Sequence, residues 1–111
     1  MHQIKFETFN DGIAYLYSIK ENGDMEDEPK VKARFGNRVV GETQYYAALA
    51  AGIKISRRIR IPMYAGIDED TTDLFYAVIE KNIYQIKRAQ HYTSTNPPCT
   101  DLTLSLYRER K

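Results

Sequence analysis

The sequence predicts a mainly β domain: a small closed or partly open β-barrel of five to six strands with one short helix. Three observations carry this expectation. Short runs of alternating apolar and polar residues recur along the chain, separated by clusters of Gly, Asn, Asp and Pro. One segment alone, ETQYYAALAA at 42–51, has the composition of a helix. The 111 residues leave room for a single core, so residues 1–111 are read as one domain. A two-layer sheet fits the same pattern, but barrel closure also removes exposed strand edges.

The elements follow in order. Asn10-Asp11-Gly12 is a turn signal, and IAYLYSI at 13–19 reads as the first strand. The tract 21–29, ENGDMEDEP, carries acids at 21, 24, 26, 27 and 28, so it reads as an exposed loop or hairpin tip. From Lys30 to Phe35 alternation resumes, with Val31, Ala33 and Phe35 on one face. Gly36-Asn37 reads as an interruption, and Val39-Val40 ends that unit. The helix candidate at 42–51 is followed by Gly52, where a C-terminal cap glycine would stand. Ten residues are marginal for an isolated helix, so this one requires a packing partner.

The segment IKISRRIRIP, 53–62, poses the functional question. Ile53, Ile55, Ile59 and Ile61 fall on one strand face, while Lys54, Ser56, Arg58 and Arg60 share the other. Arg57 breaks the phase; it marks either a bulge or a point where the apolar face meets a partner. Residues 63–73, with Asp68, Glu69, Asp70 and Asp73, read as a loop. Residues 74–80 and 83–92 read as strands joined by a two-residue turn at Lys81-Asn82. A loop at 93–100 is forced by Pro97-Pro98. Leu102, Leu104 and Leu106 then alternate with Thr103, Ser105 and Tyr107 in the last strand.

Composition excludes several function classes. The net charge of +1 announces no general affinity for polyanions. One cysteine, Cys99, rules out an internal disulfide framework and fits a reducing compartment. No apolar run approaches transmembrane length, and residues 1–12 show no leader pattern, so a soluble protein made in the cytoplasm is expected. Nine of thirteen aromatics are Tyr, which suits either partly wet contact surfaces or simply strand propensity.

The chemistry-bearing residues do not assemble into a motif. His2, His91 and Cys99 lack metal-ligand spacing, and Cys99 has no basic neighbour, so an inert exposed or half-buried thiol is expected. Asp68-Glu69-Asp70 lacks the spacing of a calcium loop, and no glycine-rich phosphate loop occurs. No cofactor, metal or catalytic set is therefore expected, and the chain is read as a non-enzyme. Nucleic-acid binding has more material: Lys54, Arg58, Arg60 and Lys87 could meet phosphates, and Tyr45, Tyr46, Tyr64 or Tyr84 could stack on bases. Two oppositely charged surfaces on one domain instead suit head-to-tail contacts between copies.

One further reading comes from likeness. RFGNRVVGETQYYAALAAGIKISRRIRIP, an acidic loop, YQIKRAQ, a Pro-containing loop and a closing LTLSL strand together resemble the phage head–tail joining family. The likeness is to head-closure, or stopper, proteins of long-tailed phages and of prophages in Gram-positive bacteria. Tyr45, Tyr46, Ala47 and Ala48 precede Ile59-Arg60-Ile61; Tyr84-Gln85-Ile86 and Leu102 to Leu106 follow, over about residues 10–107. The resemblance implies a β-barrel that assembles with itself as a ring. Portal and adaptor proteins lie above that ring and tail-side proteins below it. Such a subunit closes the DNA-filled head in the virion, after synthesis in the host bacterial cytoplasm. It further implies that residues 36–52 line or plug the channel, which nominates Asn37, Arg38, Glu42, Gln44, Tyr45 and Tyr46, with possible DNA contact. Arg57, Arg58 and Arg60, set against Asp68, Glu69 and Asp70 of a neighbour, are the nominated subunit or partner interface.

Overall fold

The computed structural model describes residues 8–52 and 54–109. The order of elements is β1 (Gly12–Ser18), β2 (Val31–Arg38), α1 (Glu42–Ala50), β3 (Arg57–Pro62), a 3-10 turn (Thr72–Leu74), β4 (Phe75–Ile79), β5 (Asn82–Tyr92) and β6 (Cys99–Glu109). The six strands close into an antiparallel barrel in the order β1-β2-β3-β6-β5-β4, with β4 returning to β1. The chain is thus mainly β with one short helix, and every strand has two neighbours.

Alternation places the core. Ala14 and Leu16 of β1, Ile59 and Ile61 of β3, and Leu102 and Leu104 of β6 are all fully buried and point inward with Phe35, Ala77 and Ile86. In the ring of strands β3 and β4 stand opposite one another, so the loop joining them must cross one end of the barrel. Ile67 of that loop is completely buried and plugs this end, and Tyr64 packs edge-to-face on Phe75 beside it. The acidic β1–β2 connection opens from the same end, whereas α1 and the β4–β5 turn belong to the opposite one.

Several boundaries differ from the sequence reading, each for a physical reason. Gly36-Asn37 does not interrupt β2; both residues pair with β3, as partners of Arg60 and Ile59. Gly36 is there because the backbone of Thr8 passes close by: a β-carbon would stand 2.9 Å from its carbonyl oxygen. Strand β3 begins only at Arg57, although Ile55 is already buried. Before it, the Ser56 N–H donates to the Leu104 carbonyl and the Leu106 N–H donates to Ser56 Oγ, which extends the β6 attachment by side-chain means. Ile53, expected on the same apolar face, lies outside the described residues, as does His2. The β4–β5 turn falls at Glu80-Lys81, one residue earlier than expected, with Glu80 at a φ of 55°. Leu106, expected to alternate inward, is exposed.

A second, smaller cluster sits outside the barrel wall on β1, β4 and β5. Tyr17, Val78 and Ile83 are buried there, with Tyr15, Met25 and Tyr76 around them. Tyr76 stacks on Tyr107 at 5.3 Å between ring centroids. Burial of its phenol and, secondarily, the facing Tyr107 raise the Tyr76 pKa above its usual 10.0. Strand pairing and outer-face contact thus both draw on this tyrosine set.

The core reading makes a direct stability prediction. Ile59→Ala should lower unfolding free energy by about 2–5 kcal/mol, because a rigid barrel cannot collapse around the void. In urea titration the midpoint should drop while the slope stays unchanged.

Candidate interaction surface

The outer face of β3, β6 and β5 carries a polar network. Asp101 of β6 stands directly opposite Arg60 of β3 in the strand register. Arg60 Nε donates to Asp101 Oδ1 at 2.5 Å and Nη2 to Oδ2 at 3.0 Å, while Arg58 Nη2 reaches Oδ2 at 2.8 Å. Asp101 is only 2% exposed and Arg60 6%, on a face where solvent would be expected. Arg60 also lies 5.0 Å from the centroid of the Tyr92 ring, whose hydroxyl donates to Gln90 Oε1. Two guanidinium groups share this one carboxylate.

This arrangement corrects one expectation. Arg60 is buried and fork-bonded within its own chain, so its side chain is not a surface contact for a neighbour. Arg58 remains at the surface with a side chain one-fifth exposed, and its Nε is buried with no hydrogen-bond partner among the described residues.

Arg57 has a different role. It pairs with Leu104 in regular register, so no bulge marks it, and its phase points it inward at the barrel end. Its guanidinium carbon lies 5.2 Å from the Phe35 ring centroid and 5.9 Å from that of Tyr84, and Nη2 donates to Asn37 Oδ1 at 2.6 Å. Asn37 is held in turn by its N–H, which donates to Asp11 Oδ2 at 2.8 Å. The break in the isoleucine pattern is therefore a cation–π lid over the aromatic end of the core.

The bulge is on β5 instead. Ile86 opposes Leu104 and Arg88 opposes Thr103, which leaves Lys87 as an extra residue. An extra residue resets the alternation, so Lys87 and Arg88, consecutive in sequence, both turn outward. With Arg58 they line a cleft of about 730 Å³ between the barrel wall and α1; Gln44, Ala47 and Ala48 form its helical side. Among the described residues no acidic side chain lines this cleft.

Helix α1 covers 42–50, as its alanine-rich composition predicts, and Gly52 follows it at a φ of 81°. None of its residues is buried. Tyr46 is 60% exposed and Val39, just before the helix, 86%. Of the nominated channel-facing residues, Asn37 and Arg38 end β2, Glu42 and Tyr46 are exposed on α1, and Gln44 faces the cleft. Tyr45 is half-buried in edge-to-face contact with Tyr46. The residues implied as a channel plug are thus a strand end and an ordered helix, not one open loop.

The nominated acids divide as well. Asp68 folds its own loop, accepting from the Asp70 N–H and the Thr71 hydroxyl, and Asp70 is exposed. Glu69 accepts from Arg88 Nε at 3.2 Å within the same chain. Of the proposed stacking residues, Tyr84 is buried in the core, Tyr64 is half-buried against Phe75, Tyr45 is half-buried against Tyr46, and Tyr46 is exposed. Cys99 is fully buried rather than exposed or half-buried, and His91 Nδ1 is hydrogen-bonded to Thr100 Oγ1 at 2.8 Å. No group of three or more His, Cys, Asp or Glu that could hold a metal occurs among the described residues. No protein-family model and no curated protein matches the chain.

Sequence alternation alone missed Asp101, Gln90 and Tyr92. The available signal was a lone carboxylate in the strand CTDLTLSL, opposite the one strand bearing two arginines on its polar face. Replacing Arg57 by Ala should remove the lid and cost about 1–2 kcal/mol in urea unfolding, with Arg57→Lys recovering part of it.

Proposed function

We propose that this chain is a structural subunit of a phage head–tail connector, forming a ring below the portal and adaptor that closes the filled head and docks the tail. The observation that carries this reading is α1, a helix inserted between β2 and β3 none of whose residues is fully buried. A nine-residue helix gains little stability from propensity alone, so an unburied one is best understood as a surface awaiting an assembly partner. The closed barrel is the fold that the head–tail joining likeness implies. Both acidic loops emerge at the barrel end opposite α1, a polarity suited to head-to-tail contact. In a ring each weak contact is repeated, so small interfaces suffice. On this reading the protein belongs to the virion, with Tyr46, Leu49 and Val39 available to the portal side, the tail side or a neighbouring copy.

A second reading, a small nucleic-acid-binding barrel, draws on Arg58, Lys87 and Arg88 beside the exposed Tyr46. Electron microscopy of particles assembled with the gene interrupted separates the two. The connector reading predicts unjoined or DNA-leaking heads beside finished free tails. Intact, tailed, infectious particles would contradict it and favour the nucleic-acid reading.

A further inference from the structure

We infer that the groove between the first half of β2 and the end of β3 receives an extended segment of a partner protein, alternating acidic and apolar residues, as a strand added to β2. The β2–β3 ladder is short: Gly36, Asn37 and Arg38 pair with Arg60, Ile59 and Arg58. The same register two residues on would set Arg34 opposite Pro62, which has no N–H to give to the Arg34 carbonyl. There β3 parts from β2: the Met63 N–H donates to the Pro98 carbonyl and the Tyr64 N–H to Thr100 Oγ1, both on the β6 side. Between the diverging strands lies a groove of about 520 Å³, with Val31 and Ala33 on one side and Ile61, Pro62, Met63 and Tyr64 on the other.

Alternation shows which groups face this groove. Phe35 turns its carbonyl to the β1 side, accepting from the Asp11 N–H, and Asn37 turns its N–H the same way, donating to Asp11 Oδ2. Successive strand residues direct their N–H and C=O to opposite edges, so those of Lys32 and Arg34 point into the groove. Among the described residues no strand pairs with them on that edge. Val31 and Ala33 turn inward yet stay half-buried, whereas their partners across β1, Leu16 and Ala14, are fully buried. An added strand would complete that burial. Charge selects its sequence. Lys32 and Arg34 are exposed, with no ion-pair partner among the described residues; Lys32 lies 6.0 Å from the centroid of the Tyr15 ring. Residues directly opposite in an antiparallel pair share a face, so Asp or Glu is favoured against these two cations and an apolar side chain between them. Edge-to-edge pairing of β2 with a second copy would instead set Lys32 and Arg34 against like charges, which opposes it. Main-chain hydrogen bonds supply the affinity of such an added strand, and the alternating side chains its specificity. The groove lies toward the barrel end opposite α1, so this is a second surface, independent of the helix that carries the connector reading.

The test is titration of the full chain with an acetylated, amidated peptide of about eight residues alternating Glu and Val, read by residue-resolved amide hydrogen exchange. In the free chain the Ala33 amide, turned to β1, should exchange slowly and those of Lys32 and Arg34 fast. Saturating peptide should slow Lys32 and Arg34 about tenfold or more and leave Ala33 unchanged. Lys32→Glu combined with Arg34→Glu should weaken binding of this peptide about tenfold or more and admit one alternating Lys and Val. Both substituted side chains are exposed, so the barrel should persist by circular dichroism. A peptide N-methylated at each Glu keeps its charge but cannot complete the ladder, and should not bind. Lys32 and Arg34 amides already protected in the dilute free chain would overturn the inference, because the chain would then fill this edge itself. Protection that grows with protein concentration alone would also overturn it, giving the edge to a second copy. So would Glu–Val binding that survives N-methylation or leaves both amides unprotected, since charge attraction alone would account for it.

Discussion

A single carboxylate, Asp101, ties together two strands that are far apart in sequence. Strands β3 and β6 are one of the two non-local pairs that complete the barrel, β1 with β4 being the other, and Asp101 meets Arg60 across β3 and β6 in direct register. Side chains alternate faces along a strand, so a slip of one residue would drive Asp101 into the core and Leu102 out of it. The fork-bonded pair therefore distinguishes the observed register from its nearest competitors, while Ile59, Ile61, Leu102 and Leu104 supply the apolar burial. Taking the three charges out of water is costly, and the geometry offsets that cost only because both carboxylate oxygens and both arginines engage.

The outer surface follows from the same wall. Because Arg60 is consumed by Asp101, the cationic character that reaches solvent moves to Arg58 and to the bulge at Lys87. The bulge turns two consecutive basic residues to the same side, and α1 stands over them with small residues facing the gap. At the other end, the loop that must cross between β3 and β4 plugs the barrel with Ile67 and leaves its acids outside. Charge polarity is thus a consequence of topology: the two acidic connections share one end because both join strands there.

Much of the barrel was legible in the sequence because alternation is a local signal. Ala14 and Leu16, Ile59 and Ile61, and Leu102 and Leu104 obey period two and line the core as read. The helix was legible from its alanines and from Gly52. What sequence could not supply was non-local. Gly36 reads as a breaker until the passing Thr8 backbone shows why no side chain fits. Arg57 reads as an error of phase until Phe35 and Tyr84 are seen beneath it. The basic stripe reads as a surface for others until Asp101, 41 residues beyond Arg60, is found to occupy it. Of the nominated interface, Arg58 survives as a surface residue; Lys87 and Arg88 gain importance only once the bulge is known.

The most direct test is a double-mutant cycle in urea on Arg60→Leu and Asp101→Leu, read at equilibrium. Each single change breaks the buried, fork-bonded pair and should cost about 3–5 kcal/mol. The double variant should lose much less than the sum, giving a coupling of about 2 kcal/mol or more. Losses that add to within about 0.5 kcal/mol would contradict the account, because Asp101 and Arg60 would then not act as one unit in closing the barrel.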